Sequence, residues 1–522
     1  MYVVSWGYVV TDVIVVGGGP TGLLLAGELR LAGADPLVLE AADGAVRQSR
    51  SLGMRGLNSR TSRSLGLRGL TEPLARAQEA IFERLAADRT PADADQVRGL
   101  LRMLLENRAR GHFSGLPLVV DEADRSGVVE HFLVRQHQLE RILAEWAAGL
   151  GVRIHLGRPV VDVVDEGQQV RAVLADGRTE RAAYLVGCDG GRSTVRKQAG
   201  IDFPGTAATM TGRTAVAELA DPDAITSTLY GPRGLVNLSL VPGEIATIEF
   251  DGGPDGQDTP VTAEEMAASI RRVTGVEVRI TRVDTGIRYS DNTRQAATYR
   301  QGRVLLAGDA AHVHSPIGGQ GLNLGLQDAM NLGWKLGLVV RGSAPEPLLD
   351  TYTAERHPVG ERVLRNTRAQ VALMRPGAQV AALRSVLAET LAIPAAKQHF
   401  IELANGLDID YEPDADPMVG RFAPPLPDAE LPRDGRAVLL ADTPEIREAA
   451  SGHADRVRVA TRSSGDGVAL LIRPDGYVAW TGTDVTGLPE ALTEWFGPAS
   501  STPPDALSAT GVRTAAARPR RR

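Results

Sequence analysis

The sequence predicts an α/β fold: a helix-covered parallel sheet assembled from separated segments, an α+β region inserted into it, and a smaller region of strands near the C-terminal end. Three observations predict it. Short apolar runs at 13–16, 184–187 and 304–307 each end in a glycine-bearing turn and lead towards a helical pattern, as buried parallel strands do. Between the last two, strand-like segments and one capped helix interrupt that rhythm. Beyond a proline-rich stretch at 413–432, four more short strands follow.

The first run, Val13–Val16, carries the most specific chemistry. It ends in Gly17-Gly18-Gly19-Pro20-Thr21-Gly22. Gly17 permits the tight turn, Gly19 lets backbone approach a pyrophosphate, and Gly22 lets the next helix lie close to the strand. Leu23, Leu24, Leu25, Leu29 and Leu31 give that helix its apolar face, and its N-terminus offers free N–H groups and a positive dipole end to phosphate. The next strand, Pro36–Leu39, ends in Glu40, eighteen residues beyond Gly22, where a carboxylate can accept from a ribose hydroxyl. A 2′-phosphate would be repelled there, so this Rossmann-like turn favours FAD or NAD over NADP.

The run at 304–307 leads into Gly308-Asp309, then the loop Ser315-Pro316-Ile317-Gly318-Gly319-Gln320-Gly321-Leu322-Asn323 and a helix over about 322–340, with Gly342 just beyond its end. The spacing of Leu322, Leu326, Leu332 and Leu336 predicts one buried side for that helix. Its glycine-lined start is a second anion site, suited to the negative charge that a reduced flavin carries over N1 and the C2 carbonyl. Asp309 would accept from a sugar or ribityl hydroxyl. The run at 184–187 leads into Cys188-Asp189-Gly190-Gly191-Arg192-Ser193-Thr194, a further strand, turn and helix start. Two anion-binding turns in one chain point to FAD held at both ends.

In order and spacing these three segments resemble the glycine, Asp-Gly and Gly-Asp motifs of the single-component FAD-dependent aromatic hydroxylases. Leu25-Ala26-Gly27-Glu28-Leu29-Arg30, Gly111-His112-Phe113-Ser114-Gly115-Leu116 and Asn331-Leu332-Gly333-Trp334-Lys335-Leu336 are similar to the branch acting on polyketide antibiotics: angucyclines, anthracyclines, tetracyclines and rifamycins. The resemblance spans about residues 10–498. It implies a Rossmann-like FAD-binding domain, an inserted α+β substrate domain and a C-terminal thioredoxin-like domain. It also implies that Pro316 and the backbone of Gly319, Gly321, Leu322 and Asn323 border the reactive side of the flavin, and that Arg50 meets flavin or pyrophosphate. Gln136 would lie near the cofactor's linker and Val160 beside adenine. Asp189 would couple FAD to its reductant or simply cap the next helix. Pro316, Gly319 and Arg50 are the catalytic candidates.

On this reading the flavin-binding part comprises residues 11–71, 130–200 and 295–345. Residues 201–294 form the substrate domain, with strands at 214–219, 235–241 and 245–250, a helix opened by the capping box Thr262-Ala263-Glu264-Glu265, and a strand pair over 278–289. Residues 72–129 read as a lid or substrate segment, within which the stretch Glu72 to Arg110 departs from the family in length: it predicts helices at 75–87 and 95–109 and lines the cavity, or forms a solvated lid or an oligomer contact. Leu101 to Asn107, Phe113 and Phe132 are candidate lining residues. Residues 346–412 read as a helical connection, 413–499 as the C-terminal domain, and 500–522 as a disordered tail. The apolar residues 1–10 read as an extension before the first strand.

Composition narrows the class. The chain has 522 residues, 43% hydrophobic and 23% charged, ample for two or three domains. A net charge of −7 argues against a nucleic-acid partner. No segment reaches the eighteen apolar residues of a membrane span. Cys188 is the lone cysteine, which excludes an intramolecular disulfide or a dithiol pair and fits a cytoplasmic setting; the C-terminal domain therefore has a structural or homodimer-related role. His312 and His314 lack acidic or thiol partners at metal-ligand spacing and read as structural, so no metal is expected. Ser193 stands in no nucleophile elbow.

The resemblance implies an NAD(P)H-consuming monooxygenase, NADPH by analogy, with molecular oxygen as co-substrate and a flavin hydroperoxide as oxidant, acting on a polycyclic aromatic polyketide or related phenol. Baeyer–Villiger oxidation of a ketone, or sequestration of an aromatic drug without turnover, stays open at this point.

Overall fold

Val13–Val16 lies inside a six-stranded sheet ordered Arg300–Gln301, Val304–Leu306, Tyr184–Gly187, Val13–Val16, Pro36–Leu39 and Arg153–His155. All neighbours are parallel except the first pair. The computed structural model describes residues 11–43, 52–87, 109–120, 131–225, 228–238, 243–254, 259–426, 433–462 and 467–500. Arg50, the expected extension at 1–10, the expected lining residues Leu101 to Asn107 and the tail from 501 fall outside them. So does the expected helix at 95–109, except that Ala109 itself opens the strand Ala109–Phe113.

Contacts divide the chain into two units: one up to Arg341 together with Leu349–Ile409, the other Gly342–Leu348 with the chain from Asp410. In the first unit, the helices Pro20–Leu31, Gln136–Gly149 and Gln320–Val340 pack together, and glycines set how closely. A side-chain carbon at Gly27 would fall 1.9 Å from the Trp146 ring, one at Gly333 2.3 Å from Glu28 Cβ, and one at Gly337 2.3 Å from Ala32 Cβ. The expectation of one buried side on Gln320–Val340 is corrected here: every residue from Asn323 to Leu338 is buried. The helix runs through the core, and its polar residues survive burial by pairing. Lys335 Nζ meets Glu355 Oε2 at 2.8 Å, and Gln327 donates to Ser64 Oγ at 3.1 Å. A three-stranded sheet (Val160–Asp165, Val170–Leu174, Thr179–Ala182) shares the same apolar core.

The inserted region is a five-stranded antiparallel sheet ordered Leu229–Gly231, Gly234–Leu238, Glu244–Glu249, Thr211–Leu219 and Ile280–Ser290. Helix Ala263–Thr274, capped by Thr262, packs Met266, Ile270 and Val273 on one face of it against Ala215, Val236 and Ile245. The strand pair expected over 278–289 is instead one strand, Ile280–Ser290. Asp284-Thr285-Gly286 carries turn-type residues, but Asp284 is accommodated as a bulge opposite Val216 and Ala217. Gly286 is small because Val261 lies where its side chain would be. Helices Asp350–Met374, Ala378–Thr390 and Pro394–Asn405 complete the unit.

In the second unit the sheet order is Val457–Ala460, Ala437–Leu440, Ala469–Ile472, Val478–Gly482, with the first pair parallel and the others antiparallel. In the Arg473-Pro474-Asp475-Gly476 turn, Arg473 Nη2 donates to Asp475 Oδ2 at 2.6 Å in a buried pair. Among the described residues no helix is long and apolar enough to cross a membrane.

Candidate active site

The glycine turn after Val13–Val16 has the shape of a cradle. Gly17 adopts φ +108°, and a side chain there would meet Cys188 O at 2.3 Å; one at Gly22 would meet Gly17 O at 2.0 Å. At Gly19, the N-cap of Pro20–Leu31, nothing lies within 4 Å of the missing carbon. Backbone is thus bare just where a pyrophosphate would approach, which is the fit an FAD requires. Glu40 folds back onto this turn, accepting from Gly18 N at 2.6 Å and Ala42 N at 2.8 Å. A carboxylate so engaged keeps lone pairs for a hydroxyl donor.

The Gly308-Asp309 turn meets the same helix end. Gly308 adopts φ +64°, and a side chain there would fall 2.8 Å from Thr21 Oγ1. Gly308 N donates to Asp328 Oδ2 at 3.1 Å. That carboxylate also holds His312 Nε2 at 2.6 Å and accepts from Arg356 Nε at 2.9 Å, all three side chains being fully buried. Burial alone would raise the Asp328 pKa, but His312 and Arg356 outweigh it and hold the carboxyl below its ordinary value. Asp309 is exposed at the turn. Desolvation by the surrounding protein raises its pKa, partly opposed by His312 and Arg55.

Arg55, on Met54–Leu57, was not anticipated from the sequence. Its Nε donates to Gln136 Oε1 at 3.1 Å, and Gln136 in turn donates to Glu140 Oε1 at 3.0 Å. Burial lowers the Arg55 pKa, while Glu244, Asp309 and Tyr289 pull it back. One guanidinium therefore faces the Asp309 turn, Gln136 and the inserted sheet together.

Pro316 and Gly319 are exposed, Gly321 and Leu322 half-buried. Gly319 adopts φ +63°, caps Gln320–Val340, and has nothing within 4 Å of its missing side chain. Gly318, at φ +88°, is backed by the Gln370 amide, whose Oε1 accepts from Ser114 N at 3.0 Å. Asn323 is buried with both side-chain ends occupied: Nδ2 donates to Gly56 O and Gly319 O at 2.9 Å, and Oδ1 accepts from Asn58 N at 2.9 Å. Its side chain ties the loop to the Arg55 strand.

Opposite these turns stands the sheet face away from helix Ala263–Thr274. Leu235 and Ile248 lie there with Tyr289, in one apolar cluster with Ile317 and Met374. The Tyr289 ring lies where a side chain at Gly212 would be, and its hydroxyl bonds Thr214. Burial raises its pKa, so it stays protonated at neutral pH.

Asp189 adjoins the first glycine turn, its N 3.0 Å from where a side chain at Gly17 would begin. Both Asp189 oxygens are engaged, accepting from Ser193 Oγ at 2.5 Å, Thr194 N at 2.7 Å and Val195 N at 3.1 Å. That is a helix cap. Val160 begins a strand of the small antiparallel sheet, half-buried against the core. His314 Nδ1 pairs with Ser315 O at 2.8 Å. Among the described residues no cluster of three or more His, Cys, Asp or Glu could hold a metal.

Two glycine turns closed on one helix end, beneath a sheet roof, define a flavin-dinucleotide enzyme class. The chain belongs to the FAD-dependent aromatic-ring hydroxylases, a monooxygenase family: a family described as FAD binding domain matches residues 10–367, and one described as aromatic-ring hydroxylase, C-terminal, matches 416–499. A 12-dehydrotetracycline 5-monooxygenase/anhydrotetracycline 6-monooxygenase from Streptomyces rimosus is 39% identical over 93% of this chain and 99% of its own length. The structure of an anhydrotetracycline hydroxylase from Streptomyces rimosus superposes with a TM-score of 0.79 at 37% identity, covering 94% of this chain and 99% of the other. A dialkyldecalin synthase from Streptomyces rugosporus is 36% identical over 94% of this chain and 99% of its own length.

Proposed function

We propose that this protein hydroxylates a polycyclic aromatic polyketide or related phenol, consuming NADPH and molecular oxygen in the cytoplasm. The observation that carries the proposal is the contact of Thr21 with Gly308, which brings a pyrophosphate cradle and the Gly308-Asp309 turn, with its acceptor for a ribityl hydroxyl, onto one floor. FAD, when bound and reduced by the nicotinamide donor, activates dioxygen and supplies one oxygen atom to an electron-rich ring carbon.

The chain's residues bind and orient. Gly17, Gly19, Pro20, Thr21 and Gly22 hold the pyrophosphate at the start of Pro20–Leu31, and Glu40 accepts from the adenosine ribose. Asp309 accepts from a ribityl hydroxyl. Arg55, oriented by Gln136, sets a positive charge beside it. The free amides at the start of Gln320–Val340, opened by Gly319, stabilise negative charge near the reacting centre, with Pro316 and the backbone of Gly321 and Leu322 as its border. Asn323 positions this loop through its side chain. Leu235, Ile248 and Ile317 exclude water. Tyr289 keeps its proton on Oη and offers it to a substrate oxygen. Relatives named for tetracycline oxidation support the substrate class.

The test is turnover under labelled dioxygen. Substrate-stimulated NADPH oxidation, with one labelled oxygen gained as a ring hydroxyl, is expected. A ring-expanded ester would assign Baeyer–Villiger chemistry instead. A product isomeric with its substrate, or a ligand bound without flavin reduction, would overturn monooxygenation, and the similarity to a dialkyldecalin synthase makes the isomer worth seeking.

A further inference from the structure

A cavity of about 670 Å³ opens between the turn joining Leu229–Gly231 to Gly234–Leu238 and the turn joining Asp350–Met374 to Ala378–Thr390. That volume suits a drug-sized ligand. Its walls are mixed: Leu116 and Met374 are apolar, Tyr230 is aromatic, and Arg375 and Arg384 are cationic. Among the described residues no Asp or Glu lines it.

The two guanidiniums are held in place by neutral groups. Arg384 Nη1 donates to Ser114 O at 2.8 Å and to Leu373 O at 3.0 Å. Arg375 Nη2 donates to Thr209 Oγ1 at 2.6 Å, with its guanidinium 4.9 Å from the Phe250 ring centroid. Among the described residues neither forms an ion pair, although most arginines flanking the inserted sheet do, Arg213, Arg272 and Arg288 among them. The first turn of Ala378–Thr390 opens onto the same space and adds the positive end of its dipole. Tyr230 is 65% exposed, an aromatic face on which no ring of the described residues stacks.

Met374 connects this cavity to the candidate active site. It lines the cavity and also packs in the apolar cluster with Tyr289 and Ile317. A flexible thioether is a wall that can yield to a long planar ligand.

We infer that the cavity is a substrate subsite for the acidic end of a fused-ring aromatic anion, a carboxylate, phenolate or enolate, held by Arg375 and Arg384 while the ring to be oxidised lies beyond Met374 under the sheet roof. The inference rests on the hydroxylase reading above and adds its specificity determinant. A bulky neutral ring system would gain the cavity's apolar area but not its charge. An acidic one gains both.

The test compares two probes on the FAD-loaded enzyme, a hydroxyanthraquinone carboxylate and its primary amide. The wild type should bind the carboxylate about tenfold more tightly than the amide, and added salt should shrink the difference. Arg375→Gln and Arg384→Gln should each weaken the carboxylate about fivefold to tenfold and the amide less than twofold, with FAD content unchanged. Because Arg384 also anchors Ser114 and Leu373, Ala381→Glu serves as a second variant: it sets an opposing charge in the cavity without touching either anchor and should produce the same selective loss. Equal binding of both probes in the wild type, or losses shared by both probes, overturns the subsite. So does a raised KM for NADPH with unchanged carboxylate binding, which would assign the cavity to the donor's phosphates. Substrate-stimulated NADPH oxidation that persists in any of these outcomes leaves the hydroxylase reading standing; its absence with every ring system tested removes that reading itself.

Discussion

Thr21 packs directly on Gly308: a side-chain carbon at Gly308 would fall 2.8 Å from Thr21 Oγ1, and one at Gly325, on the next helix, 2.6 Å from the same atom. The two turns therefore share one close-packed point. Gly325→Val should overpack it by about 1–3 kcal/mol and push the turns apart. The purified variant is expected to lose most of its FAD, read from the ratio of flavin to protein absorbance. Full flavin occupancy would show that the contact does not set the site.

Arg55 joins the flavin turns to the inserted sheet. Arg55→Gln removes the charge that faces Asp309 and Glu244, and a charge-assisted hydrogen bond contributes about 1.5–3 kcal/mol. FAD should bind roughly tenfold more weakly or worse. Arg55→Lys keeps the charge but not the Nε geometry towards Gln136, and should recover part of the loss. A flavin titration on the apoprotein measures both.

Asp328 sits between the fully buried His312 imidazole and Arg356 guanidinium. Asp328→Asn leaves Arg356, fully buried, without its counter-charge, a change that costs about 3–5 kcal/mol. Thermal unfolding should shift markedly downward. The double variant Asp328→Asn with Arg356→Met should recover stability, because the stranded charge is gone.

Burial pushes the His314 imidazole down to about 4, from about 6.5 in an unfolded chain. Between those values the unfolded state takes up a proton that the folded state refuses. Stability should therefore fall as pH is lowered from about 6.5 to about 4, by at most about 3 kcal/mol. His314→Asn should flatten that part of the stability profile. An unchanged slope in apoprotein melting curves would assign the effect to another group.

The candidate site was legible to different depths. Gly17, Gly19 and Gly22 announce themselves because a phosphate-binding turn demands glycine at fixed offsets within one short segment. Asp309 and the Gly319 helix start are readable for the same reason. Asp189 reads two ways, since the same carboxylate can cap a helix or meet a ligand; in the structure it accepts from Thr194 N and Val195 N. Arg55 left no signal: it lies on a four-residue strand whose partners Gln136, Asp309 and Glu244 come from three distant segments. The strand Ile280–Ser290 was misread because local turn chemistry at Asp284 to Gly286 yields to pairing along Thr211–Leu219.

By itself the sequence determined what is local: strand runs, glycine turns, helix caps and the types of group that could grip a dinucleotide, all set by backbone sterics within a few residues. Tertiary structure alone decided which of those groups face one another. Thr21 against Gly308, Arg55 beside Asp309, and two arginines that form no ion pair among the described residues yet share one cavity depend on how glycine-bearing helices close upon each other, and packing at that range carries no periodicity along the chain.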